Sequence, residues 1–249
     1  MMQTAKKTKE DWENLRLSNP NIFCIKNNPA FKNNCAKLDQ LRPGHLGKNF
    51  HRKDPISIHV ATIWSEAFRV DQFNAIRKYN SRGGWHIMLL YIREGSDTVN
   101  GVAALEFRAP SELSRRHKFA PYLFVDALAV DSDSRNQGIC RELCEAATEV
   151  AALIWNDMCE NPLTNIWFAP EDIDEKLTTN PFAELFVALN VDKPDKKGLA
   201  ALYEHLGFRV ANAAEDARLS FTPWHHSGVC DWAVNQYLEF RMLKNLTTR

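Results

Sequence analysis

The stretch YLFVDALAVDSDSRNQGICRELCEAATEVAALIW, residues 122–155, joins a strand pattern, a polar turn and a helix pattern. Residues 122–130 are apolar except for Asp126, as in a largely buried β-strand. Residues 132–138 are polar and end in Gly138, which favours a turn. Beyond Gly138, apolar side chains recur every three or four residues to about Trp155. That spacing predicts an amphipathic helix that covers a sheet.

The sequence on both sides of this unit predicts further strands and helices. Residues 85–94 and 102–109 predict an antiparallel pair of strands joined by the turn GSDTVNG. The other predicted elements are a short strand in 21–27, two consecutive helices from Ile56 that end at Ser81–Gly84, a strand at 165–170, a helix near 182–189, a helix at 195–208 stopped by Gly207, and a strand at 239–243. This order predicts a mixed α/β sheet with helices on its faces.

Composition and charge limit the classes of function. The chain has 249 residues, 45% of them hydrophobic, which suffices for one large domain or two small ones. Its 31 basic and 31 acidic side chains balance, so nucleic acid is not expected as a partner. No apolar run approaches the roughly 20 residues of a membrane-spanning helix, and the polar N-terminus lacks the apolar core of a secretory signal. Six cysteines without framework spacing predict free thiols and a cytoplasmic protein.

The turn before the long helix has the chemistry of an anion site. The first amides of a helix have no partner inside it, and the helix dipole adds partial positive charge there. Gly138 lets a ligand approach the backbone closely because it has no Cβ. Arg135 can add a charge-assisted contact. The alternative is a plain connection in which Ser132 or Ser134 caps the helix.

Two short motifs resemble one enzyme family. LAVDSDSRNQGIC, residues 128–140, is followed by a helix, a strand and then ALYEHLGF, residues 201–208. This arrangement resembles the GNAT superfamily of acyl-CoA-dependent N-acyltransferases, whose members carry [RQ]-x-x-G-x-[GA] after a strand of the LAV kind and a later LYxxLGF helix. The resemblance covers about residues 56–243. It implies a GNAT-like mixed, mostly antiparallel sheet, with an N-terminal extension at 1–50, partly irregular, and a single acyl-CoA N-acyltransferase domain at 51–249.

The resemblance also implies acetyl-CoA, or another acyl-CoA, as the acyl donor and assigns its contacts. Main-chain groups of Leu128, Ala129 and Val130 would hold the pantetheine arm. The residues whose backbone would hold the pyrophosphate are Arg135, Asn136, Gln137, Gly138, Ile139 and Cys140. The chain departs from the family pattern at Cys140, where Gly or Ala is usual, and at Lys196, where Asn is often found.

Asp126 is the candidate general base. Alternation along the strand places it on one face with Phe124, Leu128 and Val130. Loss of hydration among apolar neighbours is expected to raise its pKa, so that it can accept a proton from a substrate ammonium. The arylalkylamine N-acetyltransferases of this family have a His base candidate at the matching place. Glu106 is the rival base, and a structural role for Asp126 stays open.

Tyr203, in ALYEHLGF, is the candidate general acid. The resemblance implies that its hydroxyl protonates the departing CoA thiolate, which a phenol with a pKa near 10 can do. Packing of the ring beside Leu202 and Leu206 is the alternative.

The remaining signals are weaker. Trp224, His225 and His226 are expected to line an acceptor pocket, with ordinary packing as the alternative, and the long connection 171–197 to form one wall of it. These histidines and Cys230 lack a fourth ligand at usual spacing, so no metal site is expected. The basic cluster 115–118 predicts a solvated loop, or a guide for an acidic substrate or the cofactor's ribose phosphate.

The sequence thus predicts an N-acetyltransferase that transfers an acetyl group from acetyl-CoA to a primary amine by direct attack in a ternary complex. A neutral chain with an aromatic-rich late segment favours a small-molecule amine as the acceptor. The alternatives are a protein lysine or N-terminal acetyltransferase, and a non-catalytic GNAT-fold protein that binds acyl-CoA. The departures from the family pattern at Cys140 and Lys196 favour the non-catalytic protein.

Overall fold

The computed structural model describes residues 17–27, 55–68, 85–96, 98–108, 122–160, 186–192, 195, 198–215 and 239–246. The elements in these ranges are β1 (Ile22–Asn27), α1 (Pro55–Phe68), β2 (Trp85–Ile92), β3 (Val99–Arg108), β4 (Tyr122–Val130), a 3₁₀ turn (Ser132–Ser134), α2 (Ile139–Glu160), β5 (Phe186–Asp192), α3 (Leu199–His205), β6 (Arg209–Val210) and β7 (Glu239–Asn245). Several predictions lie outside the described residues: the second early helix, the strand at 165–170, the basic cluster 115–118, Lys196, Trp224, His225 and His226.

The strands form a mixed sheet in the order β1-β2-β3-β4-β5-β7-β6. Strand β4 runs parallel to β5, with Tyr122 opposite Phe186 and Val125 opposite Leu189. The pairs β1–β2, β2–β3, β5–β7 and β6–β7 are antiparallel. The predicted fold class, a mixed and mostly antiparallel sheet flanked by helices, is confirmed.

The chain divides into two compact units, each with its own core. The first unit, here the hairpin unit, consists of Lys7–Phe107 and Asp126–Val150, and the second unit contains Arg108–Val125 and Ala151–Arg249. In the hairpin unit, buried residues of α1, β2, β3 and β4 form one cluster: Val60, Ala61, Ile63, Trp64, Met88, Leu90, Ile92, Val99, Val102, Ala104 and Ala129. In the second unit the cluster consists of Tyr122, Phe124, Phe186, Ala188 and Leu243.

The helix predicted near 182–189 is wrong in its described part, because Phe186–Asp192 is strand β5. Phe182, Phe186 and Leu189 have helical spacing in the sequence, which produced the error. Residues Phe186–Leu189 are all buried, with β5 lying between β4 and β7. A strand covered on both faces has a continuous apolar run, and period alone does not distinguish it from a short helix.

The turn between β2 and β3 is shorter than the sequence predicts. Strand β3 begins at Val99, so Gly101 lies inside the strand and is buried. The chain reverses at Arg93–Ser96, where the amide of Ser96 donates to the carbonyl O of Arg93 at 3.0 Å, and Gly95 has φ +73°. The glycine that matters for the turn is therefore Gly95, and Gly101 has a different role.

Helix α2 buries the apolar face that the sequence predicts, and its opposite side binds the N-terminal segment. Ile139, Leu143, Ala147, Val150 and Ile154 are all buried.

Two carboxylates on the opposite side of α2, Glu142 and Glu149, accept hydrogen bonds from the segment before β1. Glu149 accepts from the amide and hydroxyl of Ser18, both at 2.9 Å to Oε1, and Glu142 Oε2 accepts from the side-chain amide of Asn19. Strand β1 follows this segment and lies within the predicted extension 1–50. The boundary at residue 50 stays a prediction. No helix among the described residues is long and apolar enough to span a membrane.

Candidate functional site

The turn between β4 and α2 has a backbone that few residue types adopt. Asn136 has φ +62° and Gly138 has φ +83°. The amide of Glu142 donates to the carbonyl O of Gly138 at 3.1 Å, so helical bonding begins at Gly138. The amides of the first helical turn then lack partners inside the helix, as at the start of every helix. Residues 135–138 are exposed, so these donors lie beside an open surface.

Gly138 is required by its conformation and not by packing. A Cβ placed on Gly138 has no heavy atom within 4 Å. The backbone conformation at φ +83° nevertheless costs free energy for residues other than glycine, with Asn and Asp the least affected. The open space beside Gly138 is where an anion can reach the backbone of the helix start.

A chain of side-chain hydrogen bonds holds the first half of the turn. Nδ2 of Asn100, in β3, donates to Oγ of Ser134 at 3.1 Å, and Ser134 Oγ donates to Oδ2 of Asp131 at 3.3 Å. The same Oδ2 accepts from the amide of Asp133 at 3.2 Å. Ser134 is 7% exposed and bonds within the turn. The alternative in which Ser134 caps α2 is therefore wrong.

The second half of the turn is fixed by side chains of the predicted cofactor-binding residues. Nε of Arg135 donates to the carbonyl O of Val130 at 3.4 Å, and Nε2 of Gln137 donates to the carbonyl O of Asp133 at 3.3 Å. Oε1 of Gln137 accepts from the guanidinium of Arg93, at the end of β2. These hydrogen bonds within the protein hold the conformation of the turn.

Gly101 lets β3 approach the start of α2. A Cβ on Gly101 lies 2.7 Å from Cγ2 of Ile139 and 3.1 Å from Cδ1 of Leu143, closer than side chains tolerate. This role of Gly101 was not predicted from the sequence. The available signal is an isolated glycine inside a strand pattern, which marks a close approach of another segment.

The predicted pantetheine-binding residues lie at the end of β4. Ala129 is buried in the core of the hairpin unit, and Leu128 and Val130 are half-buried. Their contact with a cofactor stays a prediction.

The two candidate bases differ in burial. Asp126 is exposed and directly follows four buried residues, Tyr122–Val125. The predicted loss of hydration at Asp126 is therefore wrong, because strand alternation places a side chain on a face but does not tell whether that face is covered. Glu106, in β3, is half-buried and lies opposite His86 of β2. The choice between them stays a prediction.

Tyr203 belongs to a helix end whose hydrogen bonds are made by its own motif. Leu206 is the C-terminal cap of α3, and Gly207 follows with φ +85°. The amide of Gly207 donates to the carbonyl O of Glu204 at 2.9 Å, and that of Phe208 to the carbonyl O of Tyr203 at 3.0 Å. This is the Schellman motif, and the buried Tyr203 ring meets Phe208 edge-on at 6.0 Å as its hydrophobic contact.

The beginning of α3 is also capped within the second unit. Asp195 accepts from the amide of Leu199 at 2.9 Å and from that of Ala200 at 2.8 Å. A carboxylate therefore accepts from two of the first amides of this helix.

Cys140, the motif position that departs from the family pattern, is half-buried and lies one helical turn before the buried Cys144. A hydrogen bond from the Cys144 thiol lowers the pKa of the Cys140 thiol, and burial opposes this in part. Within the described ranges, no three His, Cys, Asp or Glu side chains group closely enough to hold a metal ion.

The sequence matches no protein-family model, and no curated protein matches it significantly. Among solved structures, the chain is similar to Arabidopsis thaliana Naa50 bound to a CoA-peptide bisubstrate analogue, with 12% identity, TM-score 0.40, and 75% of this chain and 90% of that chain covered. It is similar to an aminoglycoside 6′-acetyltransferase type Ii, with 12% identity, TM-score 0.42, and 81% and 97% covered. A third is the Escherichia coli ribosomal-protein-S18-alanine N-acetyltransferase, with 14% identity, TM-score 0.40, and 77% and 89% covered. The second and third of these proteins are named as acetyltransferases.

Proposed function

We propose that the protein is an acetyl-CoA-dependent N-acetyltransferase that acts on a primary amine, with a small-molecule amine as acceptor. The observation that carries the proposal is the turn between β4 and α2. Its exposed residues 135–138, the positive φ of Gly138 and the amides of the helix start, which have no partner inside the helix, provide what a pyrophosphate requires. The motif in which these residues lie resembles the CoA-binding motif of the GNAT superfamily.

Acetyl-CoA would supply the thioester, and residues of this chain would move the protons. Asp126 accepts a proton from the ammonium of the acceptor, directly or through water, with Glu106 as the rival. Being exposed, Asp126 is accessible to an acceptor that enters from solvent. Tyr203 donates its phenolic proton to the CoA thiolate. No acyl-enzyme forms, so none of the cysteines has a nucleophilic role.

A zero net charge supports a small amine over a basic protein tail, because the chain has no excess of acidic residues to attract such a tail. Trp224, His225 and His226, which lie outside the described residues, remain the proposed acceptor-binding group.

The test is a screen for release of CoA thiol with small amines, polyamines, aminoglycosides, lysine peptides and peptides with free N-termini. We expect turnover with at least one small amine and little with the peptides. Turnover confined to peptides would replace the small-amine acceptor with a protein acceptor. Tight binding of acetyl-CoA without thiol release on any acceptor would instead favour a non-catalytic acyl-CoA-binding protein.

A further inference from the structure

We propose that Arg93, at the end of β2, is a further binding residue for a phosphate group of acyl-CoA. The inference rests on the proposed function, since it requires acyl-CoA to occupy the turn between β4 and α2. Arg93 lies 44 residues before Gln137 and belongs to neither sequence motif.

The backbone on both sides of Arg93 is fixed. The amide of Ile92 donates to the carbonyl O of Asn21 at 2.9 Å, and the amide of Glu94 donates to Oδ1 of Asn21 at 3.0 Å. The carbonyl O of Arg93 accepts from the amide of Ser96 at 3.0 Å. Because this backbone is already ordered, a ligand that binds Arg93 does not have to order the segment as well.

The tip of Arg93 is held at the turn. Its Nη2 donates to Oε1 of Gln137, while Nε2 of Gln137 donates to the carbonyl O of Asp133 at 3.3 Å. Both ends of the Gln137 amide are engaged, which orients its oxygen toward Arg93. Gln137 is itself one of the residues proposed to hold the pyrophosphate, so the guanidinium lies beside that site.

Arg93 can bind an anion without giving up this contact. A guanidinium has five N–H donors, and the bond to Gln137 uses one of them. The acceptor of that bond is a neutral amide, so the bond does not offset the positive charge of Arg93. Arg93 is exposed, as is Arg135 in the turn. A guanidinium can bind two phosphate oxygens at once, which a single backbone amide cannot do.

The phosphates of acyl-CoA that fit this chemistry are the pyrophosphate and the 3′-phosphate of the nucleotide. The test compares the affinities of wild type and Arg93→Gln for acetyl-CoA, for acetyl-dephospho-CoA, which lacks the 3′-phosphate, and for S-acetylpantetheine, which has no phosphate. We expect Arg93→Gln to bind acetyl-CoA roughly tenfold more weakly, the size of one charge-assisted hydrogen bond. Binding of S-acetylpantetheine should not change.

The same experiment distinguishes which of the two phosphates Arg93 binds. A tenfold loss that persists with acetyl-dephospho-CoA assigns Arg93 to the pyrophosphate, and a loss that disappears assigns it to the 3′-phosphate. An unchanged affinity of folded Arg93→Gln for acetyl-CoA overturns the inference and leaves the proposed function intact. A wild-type protein that binds no acetyl-CoA overturns both.

Two further variants test whether the change in affinity reflects positive charge in general or Arg93 itself. Arg93→Lys keeps the charge and should retain most of the affinity. Lys244→Met removes one positive charge from β7, where Lys244 Nζ lies 5.9 Å from the centre of the Phe208 ring, and should bind acetyl-CoA as the wild type does. A loss in Lys244→Met equal to that in Arg93→Gln would show that only net charge matters, and Arg93 would then have no specific role.

Discussion

The turn between β4 and α2 and the end of α3 carry the two motifs that resemble the acyltransferases, yet they differ in what they leave for a ligand. At the turn, residues 135–138 are exposed, and the first amides of the next helix have no partner inside that helix. At the end of α3, the amides of Leu206, Gly207 and Phe208 all donate to carbonyls of that helix. The Tyr203 ring is buried and contacts Phe208.

The difference shows how far a motif supports a function. Three residues of the LYxxLGF motif have a structural role. Gly207 ends the helix, and Tyr203 and Phe208 form the hydrophobic contact that accompanies such a helix end. The positive φ of Gly138 and the exposure of residues 135–138 are not explained in this way. The turn therefore supports ligand binding directly, whereas the role of Tyr203 depends on its hydroxyl group alone.

The largest expected effect concerns the base on β4, the strand that leads into the turn. Asp126→Asn keeps size and hydrogen bonding but cannot accept a proton, so the turnover rate should fall by roughly 10²–10⁴. Raising the pH should restore part of the rate by deprotonating the amine in solution. Steady-state rates across pH measure both. Glu106→Gln is the matched variant: if it loses the rate while Asp126→Asn keeps it, Glu106 is the base.

The next effect tests the turn itself. Gly138→Asp places a negative charge where amides should meet phosphate, and acetyl-CoA affinity measured by calorimetry should fall by about 100-fold or more. Gly138→Asn is the control, since Asn and Asp tolerate positive φ similarly and differ here in charge. Equal affinities of the two variants for acetyl-CoA would contradict the assignment of the pyrophosphate to this turn.

A smaller effect is expected at the end of α3. Tyr203→Phe keeps the ring contact with Phe208 and removes only the hydroxyl, so turnover should fall by roughly 10- to 100-fold with little change in acetyl-CoA affinity or melting temperature. Pre-steady-state kinetics would establish that chemistry limits the rate. Unchanged turnover under that condition would leave Tyr203 with its helix-ending role alone.

The next prediction compares the loss of stability on replacing Gly101, beside the start of α2, with the loss on replacing Gly207, at the end of α3. Gly101→Ala should lower the free energy of unfolding by about 1–3 kcal/mol, because its Cβ would lie 2.7 Å from Ile139 Cγ2. Gly207→Ala should cost about 1 kcal/mol, because its Cβ meets Lys244 at an ordinary 3.6 Å and only the positive φ is unfavourable. Chemical denaturation measures both, and a larger loss in Gly207→Ala would contradict the packing assigned to Gly101.

The smallest effect concerns Cys140, in the first turn of α2. The hydrogen bond from Cys144 lowers the pKa of the Cys140 thiol, which increases its thiolate fraction below that pKa. Cys144→Ala should raise the pKa and slow alkylation of Cys140 at neutral pH by roughly a few-fold, with the difference vanishing at high pH. Mass spectrometry of iodoacetamide-treated protein measures the rates. A faster reaction in Cys144→Ala would mean that burial, not the hydrogen bond, controls Cys140.

Much of the fold was predictable from local pattern. Strands β2, β3 and β4 lie where apolar runs bounded by turn residues predict them, and helix α2 lies where helical spacing predicts it. Strand β5 was not predictable, since its continuous apolar run also fits helical spacing, and the sequence pattern places Gly101 in a turn.

The candidate site was predictable only in its local part. The residues from Arg135 to Cys140 are contiguous, so a motif identifies them. Arg93 follows the end of β2 and Asn100 lies at the start of β3, and both contact the same turn. These contacts depend on where β2 ends and β3 begins relative to the turn. The exposure of Asp126 depends likewise on what covers β4. Neither property follows from a local sequence pattern.

Strand β1, within the predicted extension, covers the edge of β2. Its register runs from Ile22 opposite Tyr91 to Asn27 opposite His86. Residues 87–92 of β2 are buried and apolar. Without β1, this strand would present a row of open amides and carbonyls beside apolar side chains, which is a template for aggregation. A shortened chain that began at residue 51 would have such an edge, so the segment before it protects the sheet from self-association.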